Sequence, residues 1–416
     1  MKKKKTIRVG VVGVGRGQTF MNQAEASGMK LVAICDVWKD RLESVGKKFG
    51  VAIYTDFDRF LEHDMDAVVL ANYFHEHAPY AVKALNAGFH VMSECAASHT
   101  LAEGVALCRA VEKSKKIYML AENYPYNAAN IELGRLYKAG EIGEVLYAEG
   151  EYNHPMSPEA KLRISPGKAH WRNALPLGTY YCTHALAPLM TITDTMPVSV
   201  NALSVAWPDK DREPRISTAD GIAAILCRMD NGAVFRLFGI SAPGHSVWYR
   251  LHGMRGLMEH VRGTGYWGPG AVRIAHDEWD LKKDEVTERS YHPQFPAWAH
   301  KALSAGHGGG DFFTNRYFAD AIRTGRQPYL DVYRGVAMSA VGVLAWKSCL
   351  ENGRPFEMPD FRSETSRRKY ENDNWSPLTM TGPERPPVSI RPGRKPSRAA
   401  AAYAKKIWRR NGYNGE

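Results

Sequence analysis

Residues 6–17 read Thr6-Ile7-Arg8-Val9-Gly10-Val11-Val12-Gly13-Val14-Gly15-Arg16-Gly17. A short apolar strand turns on glycine into a helical stretch from about Thr19 to Ala26. Gly13 permits the tight turn, and Gly15 lets the backbone approach a pyrophosphate whose charge the helix N-terminus stabilises. The third glycine of the usual fingerprint falls on Gln18, with Gly17 one place early. A second strand, Lys30–Asp36, ends in an acid 21 residues after Gly15. A carboxylate there binds ribose hydroxyls and repels a 2′-phosphate, so NAD is expected over NADP, with Arg16 and Arg41 the counterweight. Gly13, Gly15, Arg16, Gly17 and Asp36 are thus candidate cofactor residues.

The alternation continues outward. Asp66–Ala71, Phe89–Ser93 and Ile117–Ala121 read as buried strands, with helices at Pro79–Ala87 and Leu101–Ser114. Strands alternating with helices predict an α/β, doubly wound parallel sheet of the Rossmann type. Past residue 125 the pattern changes. A helix over Ala128–Lys138 precedes longer alternating segments at Val145–Tyr152, Val198–Val205, Ile222–Arg228 and Ala233–Gly239, with an Asn231-Gly232 hairpin signal between the last two. Helices follow at Phe312–Thr324 and Val332–Leu350, closed near Gly325 and Asn352-Gly353. The expectation is an α+β domain with a large, open, mostly antiparallel sheet. Residues 1–125 are assigned to dinucleotide binding, 126–371 to substrate binding and oligomerisation, and 372–416 to a basic, Pro/Arg-rich extension ending in a short helix, Ala399–Arg410.

The net charge of +11 invites a nucleic-acid partner. Residues 385–416 carry nine basic residues against one acid, however, and Lys2–Lys5 add four more, so the body between is nearly neutral. A solvated or subunit-contacting extension is the plainer explanation, and no nucleic acid is expected. No apolar run reaches the ~18 residues of a membrane span. The lysines at the start resemble the basic part of an export signal, but Arg8 and Arg16 interrupt the apolar stretch behind them. Six scattered cysteines with no C-x-x-C pair suit a reducing, cytoplasmic setting and argue against a metal site.

His77-Ala78-Pro79, Ala84-Leu85-Asn86-Ala87-Gly88-Phe89-His90-Val91, Glu94 and Glu122-Asn123-Tyr124-Pro125-Tyr126 together resemble the Gfo/Idh/MocA oxidoreductases over roughly residues 6–365. The resemblance adds Asn72, His77, Glu94, Glu122 and Asn123 to the cofactor contacts. Most members carry Glu-Lys-Pro after the fourth strand, the lysine near the reacting carbon. Here Glu94-Cys95-Ala96-Ala97 stands instead. Several segments are similar to the lysine-less, NAD-dependent glycoside hydrolases of the α-N-acetylgalactosaminidase type. They are Glu149–His154, His170-Trp171-Arg172, Tyr181-Cys182-Thr183-His184, Gly306–Phe312 and Asp331-Val332-Tyr333. Cys182 replaces that subgroup's proline, and its later sugar-contacting tyrosine has no assigned counterpart around Gly256–Tyr266.

Hydride transfer from a carbinol needs a base for the hydroxyl proton. Cys95 is a poor one without a partner, and a structural thiol is its default. His184 and Tyr181 are three apart and on one helix would share a face. The resemblance implies oxidation of a glycoside at C3, removal of the acidified C2 hydrogen by Tyr152 or His184, loss of the aglycone, addition of water and re-reduction. Arg172, Trp171, His307, Asp311 and Tyr126 are the substrate-binding candidates. Competing functions are an NAD-dependent sugar dehydrogenase, a non-catalytic sugar or dinucleotide sensor, and an isomerase. A small-molecule glycoside and a homo-oligomeric partner are expected.

Overall fold

A computed structural model describes residues 6–208, 215–262 and 270–415. Six strands, β1 (Ile7–Val12), β2 (Met29–Cys35), β3 (Ala52–Tyr54), β4 (Ala67–Leu70), β5 (His90–Ser93) and β6 (Tyr118–Leu120), form a sheet in the order β3-β2-β1-β4-β5-β6. Every pairing in it is parallel. Helices cover both faces, so β4 (Ala-Val-Val-Leu) is buried at all its positions. The strand order reverses between β1 and β4, and the crevice for a dinucleotide opens beyond their C-terminal ends. The helix Lys39–Phe49, β3 and the helix Phe57–Leu61 fill the stretch between the second strand and Asp66, for which no element is expected from the sequence.

The second sheet has nine strands: β7 (Val145–Asn153), β8 (Pro197–Val205), β9 (Ile222–Met229), β10 (Val234–Ile240), β11 (Ser246–Gly253), β12 (Gly256–His260), β13 (Val272–Ala275), β14 (Glu288–Tyr291) and β15 (Phe356–Glu357). Their order is β14-β13-β12-β11-β7-β10-β9-β8-β15, and among the described residues only β7 and β10 pair in parallel. Alternate residues of β9 are buried, as a one-sided sheet requires. The buried face carries the helices Thr183–Thr193 and Val332–Leu350. The latter is nearly all apolar because it packs on both halves of the molecule. Its Ser348 hydroxyl accepts the Ala202 N–H of β8 at 2.9 Å, and its Ser339 hydroxyl accepts the Ala97 N–H beyond β5 at 3.0 Å.

The basic extension folds back on its own chain, where solvation or a neighbouring subunit was the expectation. Pro387 accepts the Trp346 indole N–H at 3.0 Å, and Asp220 accepts the Ile390 N–H at 3.0 Å. The helix Arg398–Arg410 is capped by Ser397 and buries Ala400, Ala404, Ile407 and Trp408. That spacing draws one apolar stripe down a helix. The stripe packs on Leu162 and Ile216. A buried Trp or Ile contributes about 1.5–3 kcal/mol. The basic side chains therefore line the outer face. Lys2–Lys5 lie outside the described residues, as does Tyr266 at the end of the Gly256–Tyr266 stretch.

Candidate active site

The glycine loop after β1 begins the site. Gly13 has φ +90°, and a Cβ there would overlap the Ala71 carbonyl. Asp36, just past β2, accepts the Val14 N–H at 2.7 Å and the Trp38 N–H at 2.8 Å. The carboxylate is thus fixed at the mouth of the loop. Gly17 opens the helix Gly17–Gln23, as the fingerprint requires, one place early.

Arg16 leaves the loop for the centre of the molecule. Its guanidinium pairs with Glu94 at 2.5 Å and with Asp311 at 2.9 Å. Asp311 is fully buried and also accepts from Asn123 at 2.9 Å and bonds the His307 ring at 2.7 Å. Burial pushes the Asp311 carboxyl up, but the His307 hydrogen bond and the Arg16 charge outweigh it and hold it well below the ordinary range. Glu94 is lowered for a similar reason: burial raises it and the Arg16 charge more than offsets this. The Cys95 N–H and thiol both meet the second Glu94 oxygen, at 3.1 and 3.2 Å. His77 anchors the same loop through the Ala96 carbonyl at 3.0 Å.

Beyond β6, Glu122 is fully buried and bonds Nδ1 of His184 at short range. Three tyrosine rings enclose that imidazole: Tyr152 at 4.4 Å, Tyr124 at 4.8 Å and Tyr181 at 5.0 Å between centroids. Tyr181 and His184 are close, but not through a shared helix. Tyr181 ends a one-turn helix, Leu177–Tyr180, and the chain breaks before the helix Thr183–Thr193 begins. The helix carrying His184 sits tight on the strand carrying Tyr152, since Gly150 of β7 meets the Ala185 carbonyl so closely that a Cβ would overlap it.

Arg172 lies 4.2 Å above the Trp171 ring and 5.5 Å from that of Tyr181. Trp171 is buried, stacked on Phe74 at 5.0 Å and on Tyr181 at 6.0 Å. Tyr126 is buried against Tyr317 at 4.9 Å. Two residues prove more central than sequence reasoning made them. Cys95 has spatial partners invisible along the chain, and Glu122 touches the histidine.

One donor atom each from Cys95, Glu122 and His184 falls within 4.8 Å of the others. The donor types suit a soft divalent ion. Glu122 already occupies Nδ1 of His184, however, and burial with the Glu94 and Glu122 charges keeps the Cys95 thiol protonated. Hydrogen bonding accounts for the arrangement instead, with His184 on Glu122 and Cys95 on Glu94. The residues fit a dinucleotide on a separate ground. Asn72 Oδ1, Glu122 Oε2 and Asn123 Oδ1 are buried without a partner. Such orphaned acceptors are costly, and ligand hydroxyl or amide groups would relieve them.

Comparison with known proteins agrees with this layout. Residues 7–122 match the oxidoreductase family with an NAD-binding Rossmann fold, and residues 220–368 match the glycosyl hydrolase 109 C-terminal domain. A glycosyl hydrolase family 109 protein of Saccharopolyspora erythraea is 28% identical over 86% of this chain and 83% of its own length. An alpha-N-acetylgalactosaminidase of Tannerella forsythia is 27% identical over 85% of this chain and 86% of its own. Among solved structures, levoglucosan dehydrogenase in complex with NADH superposes with a TM-score of 0.72 at 19% identity, covering 86% of this chain and all of that one.

Proposed function

We propose that this chain, which belongs to the Gfo/Idh/MocA oxidoreductases and carries the glycosyl hydrolase 109 C-terminal domain, is an NAD-dependent glycoside hydrolase whose working base is His184, held by Glu122. The observation that carries this is a substitution of roles. Glu94-Cys95 stands where most members place a lysine, and a buried carboxylate–imidazole pair lies beside it. Bound NAD+ would supply a reversible hydride acceptor for the sugar C3.

The protein's own groups do the rest. Glu122 fixes the Nδ1 proton of His184 and leaves Nε2 to accept one from the sugar. Burial raises the Tyr181 phenol, so it stays protonated and serves as a donor. Tyr152, stacked edge-on to the imidazole, is placed to share the C2 proton. Arg172 faces the sugar or its leaving group, backed by Trp171. Asp311 orients Arg16, Asn123 and His307, and so positions groups around the substrate without gripping it. Tyr126 shapes the wall behind. Asp36, the glycine loop, Asn72, His77, Glu94, Glu122 and Asn123 surround the dinucleotide. We assign residues 1–125 to cofactor binding, 126–371 to substrate binding and 372–416 to an extension.

Six free, buried cysteines suit a cytoplasmic setting. Among the described residues no helix is long and apolar enough to cross a membrane. The open sheet face, which exposes Leu146, Val198, Leu203, Val205 and Leu226, suits a homo-oligomer. The test is a panel of nitrophenyl α- and β-glycosides, following nitrophenol and NADH absorbance together. Aglycone release without NADH growth is the expected result. Stoichiometric NADH without release would make the protein a dehydrogenase.

A further inference from the structure

Around Gly412 the chain returns to the mouth of the cofactor crevice. Beside Asp36 two apolar side chains stand open: Val37 is 77% exposed and Tyr73 is 41% exposed. Trp38, whose N–H the Asp36 carboxylate accepts, lies under Arg41 at 5.8 Å. After the helix Arg398–Arg410 the chain turns, with the Tyr413 N–H donating to the Trp408 carbonyl at 3.0 Å. A methyl built on Gly412 would lie 3.5 Å from the Trp38 ring. The Tyr413 hydroxyl would meet a Cβ on Gly167 at 2.6 Å, so Gly167 leaves room for it. Gly167 belongs to the loop that presents His170, whose ring packs edge-on against Tyr73 at 5.0 Å. Burial raises the Tyr73 phenol, and the Asp36 carboxylate nearby adds to it.

We propose that the C-terminal extension is part of the cofactor site: Gly412 and Tyr413, delivered by the helix Arg398–Arg410, close the adenosine end of the crevice over Trp38 and Tyr73 and retain NAD between turnovers. This rests on the reading of the chain as a dinucleotide enzyme. The apolar surface left open at Val37 and Tyr73 suits the flat face of a base, and the tail sits across its exit. The helix is latched independently of any ligand, by its buried stripe and by an ion pair of Arg410 with Glu159. The extension lies beyond residue 368, where the hydrolase domain match ends. The chemistry explains why closure is tolerable. A dehydrogenase must exchange its dinucleotide every turnover, whereas a cycle that returns the hydride need not release it.

The test measures NAD+ held by the purified chain through repeated buffer exchange, by extraction and enzymatic assay, and the dissociation rate of NADH by fluorescence. A truncation removing residues 412–416 keeps Ala400, Ala404, Ile407 and Trp408 but takes away the Tyr413 ring that packs edge-on to Trp408 at 6.1 Å, and Tyr413→Ala removes that ring alone. Both should release dinucleotide at least about tenfold faster than the full chain. A melting temperature in saturating NAD+ close to that of the full chain shows the fold is kept. A truncated protein that retains NAD+ as well as the full chain overturns the proposal, as does one that binds it more tightly, which would make the tail an obstruction. A full-length chain that binds no dinucleotide overturns the underlying reading as well.

Discussion

In the proposed mechanism His184 gives one nitrogen to Glu122 and one to the substrate, so removing the imidazole and removing its carboxylate partner should fail differently. His184→Ala should lower glycoside turnover by about 10²–10⁴-fold, the usual worth of a general base. NAD+ binding, followed by quenching of tryptophan fluorescence, should remain. Glu122→Gln keeps the volume but loses the charge that fixes the imidazole. It should lower kcat, because the imidazole is no longer held by a carboxylate. Asp311 is read through stability. Its folded carboxyl holds a proton less readily than in the unfolded chain. Its contribution is therefore complete above the ordinary carboxyl range, about pH 4, and fades as pH falls toward the lower folded value. The melting temperature of the native chain should drop steeply below about pH 4. Asp311→Asn should melt lower at neutral pH and lose less on acidification. An equal drop in both would remove Asp311 as the source. Sequence reading reached these residues but not their partnerships. Arg16 and Asp311 are 295 positions apart, and no local signal pairs them.

At the scale of elements, one glycine sets the distance between the two halves of the proposed catalytic cluster. Gly150 lies on β7 two residues before Tyr152, and the backbone of the His184 helix rests on it. Gly150→Ala must push that helix off the strand, since a carbonyl oxygen cannot yield as a flexible side chain does. Overpacking of this kind costs about 1–3 kcal/mol. A displacement of about 1 Å at reacting groups costs on the order of 10²-fold in rate. The variant should thus melt lower and lose kcat, while its NAD+ affinity stays near the native value. Loss of cofactor affinity with kcat intact would contradict the role given to this contact. Strong periodicity made some elements legible: the helices Leu101–Ser114, Ala128–Lys138 and Val332–Leu350 match their expected limits. Strands β11–β14 were not anticipated. Their outward positions carry Arg250, Glu259 and Arg273, which pair across strands at 2.9 and 2.7 Å and break the apolar pattern. The break after Tyr180 carries no glycine or proline to announce it.

The molecule as a whole brings two sheets to one place, and the outcome of a full catalytic cycle tests that convergence. In the proposed enzyme the parallel sheet would hold the dinucleotide by Asp36 and the glycine loop. The antiparallel sheet supplies Tyr152 and carries the helix of His184 on its inner face. The two meet at Glu122, which follows the last strand of the first sheet and touches the histidine of the second. In the proposed cycle hydride from the sugar C3 would stay within the protein and come back, whereas a proton removed from C2 would rest on a side chain. Side-chain protons on oxygen and nitrogen exchange with solvent, and a hydride held on carbon does not. Turnover of a nitrophenyl glycoside in deuterium oxide should therefore release sugar labelled at C2 and unlabelled at C3, read by proton NMR. Label at neither carbon would point to direct displacement at C1 and remove the need for a redox cofactor. Label at C3 would mean the cofactor exchanges its hydride with solvent, against a closed site.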